Sequence, residues 1–246
     1  MARMKFMNTE IDNLTMQETL QAIDRLIQED KSAYVVTPNV DHIVQLETSK
    51  ELQAVYENAS LILTDGKPLL WIAKWYGTPI KEKISGSDLF PLLCDMAAKK
   101  GYKMFFLGAA EGVAAKAAEN LMNRFKGLQV VGTYSPPFGF DKNPVEMDKI
   151  KSMIKEANPH ILIVGLGCPK QEKFMYHHCA ELGVPISFGL GASFDFEAGN
   201  IKRAPRWMAN HGLEWLFRIT QDPKRMAKRY LVDDRKIIGL AVKYKR

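Results

Sequence analysis

The sequence predicts an α/β fold, a Rossmann-like parallel sheet flanked by helices, followed by a basic helical appendage at the C-terminus. Three observations predict it. Between residues 33 and 190, short apolar runs alternate with longer stretches of helical periodicity, the pattern of parallel strands joined by helical crossovers. Several of those runs end in a Gly, Pro or Asx cluster that opens a helix. The clearest is residues 161–172, Ile-Leu-Ile-Val-Gly-Leu-Gly-Cys-Pro-Lys-Gln-Glu, in which a strand buried on both faces meets a glycine turn. Charge is also lopsided. Of a net +6, the segment from Arg218 to Arg246 holds ten Lys/Arg against three Asp, which leaves +7 in the tail and −1 in the body.

The elements follow in chain order. Residues 6–11 read as a short strand. Thr15-Met16-Gln17-Glu18 has capping-box spacing, and Leu20, Ile23 and Ile27 recur behind it at helical intervals. Ala33–Val36 is the next strand; Pro38 holds Thr37 extended, and Asn39 and Asp41 lie where a helix begins. Leu52, Val55 and Tyr56 share one helical face. Residues 61–63 form a strand ending in Thr64-Asp65-Gly66-Lys67-Pro68, and Pro68 opens the helix bearing Leu69, Ile72 and Trp75. Ser85-Gly86-Ser87-Asp88 caps a helix that stops at Gly101. Strands at 103–107, 128–133, 161–164 and 186–190 then alternate with helices at 111–125, 144–156 and 169–182, with an aromatic, proline-rich loop at 134–143. After the cluster Leu213, Trp215, Leu216 and Phe217, Asp222-Pro223 starts a helix on which Lys224, Arg225, Lys228 and Arg229 share a flank. An apolar stretch at 237–242 follows. Residues 1–211 are expected to form the core. Residues 212–246 are expected to form an appendage that lies on an anionic membrane surface or docks on the body.

Bulk properties exclude several classes. No apolar run approaches the roughly 18 residues of a membrane span. The first residues, Met-Ala-Arg-Met-Lys, lack the apolar centre of a signal peptide. Cys94, Cys168 and Cys179 are an odd set without C-x-x-C spacing, so the expectation is a reducing, cytoplasmic protein without a disulfide framework or zinc site. The basic tail calls for an anionic partner: a membrane surface, a phosphorylated substrate or nucleic acid. Nucleic acid fits least, because most aromatics precede the charges instead of interleaving with them; Tyr230 and Tyr244 are the exceptions.

The glycine turns suit an anionic group at a helix N-terminus. A dinucleotide fingerprint fails on spacing, since the third glycine would fall at Lys170 or Phe194, and no Walker loop is present. Ligands of open parallel sheets bind beyond the carboxyl ends of the strands. That rule singles out Thr37, Asn39, Asp41 and His42; Thr64 and Asp65; Gly108; Tyr134; Lys170, Gln171 and Glu172; and Asp195 and Glu197. Asp65 is the sharpest candidate for a general base, with a helix-capping aspartate as its alternative. His42 reads as a helix-surface or hydrogen-bonded histidine and not as a catalyst. His177 and His178 are adjacent on a helix and point apart, so they do not share a metal. Asp195 fits a metal ligand or a turn cap. Cys168 stands where a thiolate would be stabilised, but with no companion base it reads as a packing residue. No D-x-D pair of the kind that holds a metal–nucleotide is present.

Taken together, these stretches resemble the WecG/TagA/CpsF glycosyltransferases, glycosyltransferase family 26. Thr37-Pro38-Asn39, Thr64-Asp65-Gly66, Ile84-Ser85-Gly86-Ser87-Asp88-Leu89, Phe106-Leu107-Gly108 and the block from Val164 to Glu172 all match. So do Phe194-Asp195-Phe196-Glu197-Ala198-Gly199, Arg203-Ala204-Pro205 and Leu213-Glu214-Trp215-Leu216-Phe217-Arg218, in family order over nearly the whole chain. The resemblance implies an inverting, metal-independent enzyme without a cofactor, peripheral to the inner face of the cell membrane. Its acceptor would be a polyprenyl-diphosphate-linked GlcNAc. In the wall teichoic acid branch the donor is UDP-N-acetylmannosamine and the linkage β-1,4; related branches use the uronic acid or a glucose-type donor. By motif, Asp65 is similar to the family's catalytic base, and Thr37, Asn39 and Gln171 to its active-site polar residues. Lys83 stands where the family has an arginine. Gly108, Tyr134, Gly165, Gly167 and Lys170 fall where the donor would bind. Arg218, Arg225, Lys228 and Arg229 are similar to appendage residues that reach the lipid diphosphate. Cys168 replaces a small residue such as alanine. Off the membrane, the apolar tail helix could bury itself between subunits.

Overall fold

The computed structural model describes residues 3–205, 207–208 and 211–245. Its centre is a six-stranded sheet of β3 (Ala33–Val36), β4 (Leu61–Ile62), β5 (Lys103–Gly108), β6 (Gln129–Tyr134), β7 (Ile161–Gly165) and β8 (Ile186–Gly189). They lie in the order β4-β3-β8-β7-β5-β6, and every neighbouring pair is parallel. The connections after β3 and β5 therefore run outward to opposite edges, and β7 and β8 fill the space between. All six C-terminal ends point the same way, which gathers the strand-end polar residues along one edge.

The alternation of side chains along each strand divides the core into two layers. Tyr34, Val36, Phe105, Leu107, Leu162 and Val164 face one side. There they pack on α2 (Val40–Leu46), α3 (Lys50–Glu57), α4 (Lys67–Trp75), α7 (Pro144–Ala157) and α8 (Lys170–Leu182). Val35, Met104, Phe106, Ile161, Ile163 and Phe188 face the other. There they meet α1 (Met16–Glu29), α5 (Gly86–Lys100), α6 (Val113–Arg124) and Phe194 of α9 (Gly191–Ala198). Both faces of β7 are apolar because helices cover both. The capping box at Thr15 forms as expected, with Thr15 Oγ1 accepting from Glu18 N and Glu18 accepting from Thr15 N.

Three expectations need correction. Residues 6–11 are not one strand but a hairpin of β1 (Met4–Phe6) and β2 (Thr9–Ile11), turning at Met7, whose φ is +51°. The segment after Gly189-Leu190 is the helix α9, not a turn. Pro169 is the cap of α8 instead of its first helical residue.

The basic end of the chain forms α10 (Glu214–Gln221), α11 (Pro223–Lys228), a π-helical turn (Arg229–Asp233) and α12 (Lys236–Tyr244). It docks on the body. Ala241 is buried, Tyr76 Oη donates to Ala241 O at 2.6 Å, Tyr244 Oη donates to Glu47 at 3.0 Å, and Lys243 pairs with Glu47.

Candidate active site

Asp65 sits just past β4, in a turn fixed to the turn after β3. Leu63 N donates to Val36 O at 2.9 Å and Asp65 N to Pro38 O at 2.8 Å, so the Thr-Pro-Asn and Thr-Asp-Gly segments advance together. Gly66, at φ +108°, occupies the cap position of α4, and that helix has no side-chain cap. The carboxylate of Asp65 is therefore not spent on capping. It lines a cavity of about 430 Å³ whose wall on the core side includes Asn39, Lys83 and Pro68. The tail supplies the rest: Trp215, Arg218, Arg229, Tyr230, Asp234 and Ile238.

Burial is the main influence on Asp65 and raises its pKa to about 6; Arg218 and Lys83 pull it down, and Glu214 and Asp88 push it up. A carboxyl poised there is mostly ionised at pH 7 yet basic enough to accept a proton in a transition state. Asp234 is the second such group. Burial again dominates and raises it to about 6, against the Arg229 charge.

The cations around the cavity are held by defined partners. Arg218 pairs with Glu214 at 3.0 Å and lies over the Phe196 ring at 5.5 Å. Arg229 donates to Asn39 Oδ1 at 3.0 Å and lies 3.7 Å from Asp41 and 3.9 Å from Asp234. Lys83 pairs with Asp88 at 3.0 Å. Asp88 also accepts from Ser85 and Arg203. Burial alone would raise its pKa, but the Ser85 and Arg203 hydrogen bonds and the Lys83 charge outweigh it and hold Asp88 at about 2. Ser85, expected to cap α5, gives its hydroxyl to Asp88 instead.

The structure thus brings Asn39, Asp65, Lys83, Arg218 and Arg229 to one cavity. Lys228 is exposed away from that wall, and the Arg225 side chain lies outside the described residues. Thr37 is buried at the end of β3 beside this group without lining the cavity.

The other predicted residues cluster at the ends of β6, β5 and β7. Gly108 pairs with Gly165, and a Cβ on Gly108 would stand 2.4 Å from Gly165 O. A Cβ on Gly165 would stand 2.5 Å from the Phe194 ring. Both glycines are therefore required for close packing, whatever else they do. Gly167, at φ +77°, has open space around it. Tyr134 bonds Glu146 and receives a hydrogen bond from Lys149 at 2.6 Å, and Lys170 lies over the exposed Phe138 ring at 4.8 Å. Gln171 is buried, accepts from Gly191 N at 3.3 Å and donates to Glu172 at 2.8 Å. Gly189 and Gly191 leave it room, since a Cβ on either would come within 2.9 Å of its amide.

Glu214, Tyr230 and Asp234 also line the cavity; Glu214 falls in the Leu213–Arg218 block and Tyr230 among the tail charges, but nothing local in the sequence gives any of the three a place in the site. Nor was the link between Asp88 and Arg203 legible there, although both fall in conspicuous blocks. His42 is buried and pairs with Glu172 at 3.2 Å, with Cys168 beside both. His177 and His178 turn to different partners, Glu51 and Glu181. Asp195 accepts weakly from Asn200 at 3.5 Å.

A sequence profile of the glycosyl transferase WecG/TagA/CpsF family matches residues 4–246. The chain belongs to the WecG/TagA/CpsF family. Three curated relatives carry the name N-acetylglucosaminyldiphosphoundecaprenol N-acetyl-beta-D-mannosaminyltransferase. The Bacillus spizizenii protein is 34% identical over 199 residues, 81% of this chain and 75% of its own length. The Bacillus subtilis protein is 30% identical over the same shares. The Staphylococcus aureus protein is 25% identical over 229 residues, 92% of this chain and 88% of its own. The profile match extends through α12, so this glycosyltransferase family includes the tail that walls the cavity.

Proposed function

We propose that this chain transfers N-acetylmannosamine from its UDP donor to undecaprenyl-diphospho-GlcNAc, with inversion, forming a β-1,4 linkage in the linkage unit of wall teichoic acid. One observation carries the reading: Asp65, a carboxylate that caps no helix, faces a cavity that Lys83, Arg218 and Arg229 also line. The acceptor hydroxyl gives its proton to Asp65 as its oxygen attacks the anomeric carbon. The bond from that carbon to the UDP oxygen breaks on the opposite side, and UDP leaves with the electron pair. The cations stabilise diphosphate charge in a partly desolvated site.

The donor falls to the β5–β7 end of the edge, near Gly167 and Lys170, and the acceptor diphosphate to the tail arginines. With Lys170 and the amides of the turn after β7 on the donor side and the tail arginines on the acceptor side, neither diphosphate needs a divalent ion, and omitting Mg²⁺ and Mn²⁺ should leave turnover unchanged. Among the described residues no helix is long and apolar enough to cross a membrane. The exposed Trp71, Trp75, Leu231, Val232, Ile238 and Val242 and the basic tail suit a peripheral place on an anionic inner leaflet, and off the membrane they suit a second copy of the chain.

The deciding experiment is a donor screen. UDP-sugars are incubated with a soluble lipid-diphosphate-GlcNAc analogue, and UDP release is followed. Release with UDP-N-acetylmannosamine alone is the expected result. Preference for UDP-glucose or the uronic acid would move the enzyme to another polysaccharide, and no release with any donor would reject the transferase reading.

A further inference from the structure

Behind Asn39, on the side away from the cavity, three side chains of different chemistry converge. A ring nitrogen of His42, Cys168 Sγ and a Glu172 carboxylate oxygen all lie within 4.8 Å of one another. His42 comes from the first turn of α2, Cys168 from the turn after β7 and Glu172 from the first turn of α8. The cluster therefore joins the two strand-end turns that carry Asn39 and Gln171.

Asn39 fixes the orientation of the imidazole. Asn39 Oδ1 accepts from Arg229 at 3.0 Å and from His42 N at 3.4 Å, which identifies it as the oxygen. His42 Nδ1 lies 2.9 Å from that oxygen and accepts from Asn39 N at 3.4 Å, so both polar groups of Asn39 hold that edge of the ring. Nε2 then faces Glu172 Oε1 at 3.2 Å. A hydrogen on Nε2 or a metal ion can bridge that pair, and Oε1 also accepts from Gln171 Nε2 at 2.8 Å. The surroundings favour the metal. Glu172 is 1% exposed, and its other oxygen, Oε2, is buried with no partner among the described residues. Cys168 supplies sulfur, and Gln45 Nε2 donates to that sulfur at 3.5 Å, as an outer partner of a thiolate ligand does. Asn39 plays the same outer role for the imidazole. A tetrahedral zinc with N, S and O ligands sets its ligand atoms roughly 3.4–3.6 Å apart, and the His42–Glu172 separation is already close to that.

We propose that His42 Nε2, Cys168 Sγ and the Glu172 carboxylate bind one zinc-type divalent ion that clamps the turn after β3 to the turn after β7. Water completes the coordination. The site is separate from the diphosphate cavity and independent of which sugar is transferred. It belongs to this chain through Cys168, and the thiolate is the ligand that selects zinc over magnesium or calcium.

The test uses the full chain, reduced and freed of metal, titrated with Co²⁺. The expected result is one equivalent bound, with a thiolate-to-cobalt absorption band in the near ultraviolet and the visible bands of a tetrahedral site, both displaced by Zn²⁺. Zn²⁺ should also raise the melting temperature. Cys168→Ala, a small change at a partly exposed turn, should still fold, lose the thiolate band and lose most of the Zn²⁺-induced melting shift. Gln45→Ala should keep the band and bind about tenfold more weakly. Absence of the thiolate band at stoichiometric Co²⁺ would overturn the proposal, leaving a proton shared between His42 and Glu172. An equal Zn²⁺ shift in wild type and Cys168→Ala would do the same by locating the ion elsewhere.

Discussion

Asp65 is set apart by what it lacks. Most acids of the cavity rim are tied: Asp88 to Lys83, Arg203 and Ser85, and Glu214 to Arg218. Asp65 has no side-chain hydrogen bond among the described residues, and burial raises its pKa from 3.8 to about 6. As a base it must be ionised, so kcat/KM should climb with pH through an inflection near 6 and level off above 7. Asp234, also near 6, will make the inflection a shared one. Asp65→Asn should lower turnover by about 10²–10⁴-fold with UDP affinity kept. Stability provides an independent check. Because the folded pKa lies above the unfolded one, the charged form destabilises the fold; the penalty is absent below about pH 4 and complete above about pH 6. Asp65→Asn should therefore be more stable than wild type at pH 8, by about 1–3 kcal/mol, and indistinguishable at pH 4. Wild-type turnover in the variant, or a stability gain equal at both pH values, would remove Asp65 from the role of base. The sequence made this residue conspicuous because a buried strand stops directly before it. It left open whether Asp65 caps α4, because that depends on the backbone at Gly66.

At the level of elements, what could be read in advance was what local physics determines. Buried strands with β-branched runs and the capping box at Thr15 form where their residues stand. The failures have physical causes. Residues 4–11 hold a tight turn at Met7 without glycine or asparagine at the positive φ, so nothing local announces a hairpin. Helix α9 carries apolar residues around much of its surface and opens on Gly191, just after Gly189, so it resembles a turn in sequence. Those glycines are there for Gln171, a contact between residues twenty positions apart. A methyl group at position 191 would stand 2.8 Å from Gln171 Oε1. Gly191→Ala should therefore displace Gln171 from its bond to the position-191 amide. The expected cost is about 1–3 kcal/mol of stability, some 2–4 °C in Tm per kcal/mol, with a fall in kcat. Gly239→Ala, whose Cβ meets nothing, should instead leave Tm unchanged or raise it slightly. Thermal melts of the two variants side by side distinguish a packing requirement from helix propensity.

At the scale of the whole molecule, the candidate site is built from two ends of the chain. The sheet supplies Asp65, Asn39 and Lys83, and residues beyond Gly212 supply Arg218, Arg229, Tyr230 and Asp234. The hydrophobic layers on both faces of the sheet are formed almost wholly by residues before position 200; α12 contributes only Ala241 among the fully buried residues of that core. Removing the tail therefore costs little of the core but opens the cavity. It strips two arginines from the diphosphate side and returns Asp65 to water, where its pKa falls toward the ordinary carboxylate value. A chain ending before Gly212 should keep its secondary structure and unfold cooperatively, while transfer drops by about 10²-fold or more. Binding to vesicles containing anionic lipid should fall with it, steeply with salt in the full chain and hardly at all in the truncated one. The point substitution Arg229→Ala separates the two roles. It breaks the 3.0 Å bond to Asn39 that holds the tail over the turn after β3, yet removes one charge of the ten in the tail. Turnover should fall while vesicle binding stays near the wild-type level. A truncated protein with full turnover would show that the cavity does not need its roof, and equal losses of turnover and vesicle binding in Arg229→Ala would reduce the tail to a membrane tether.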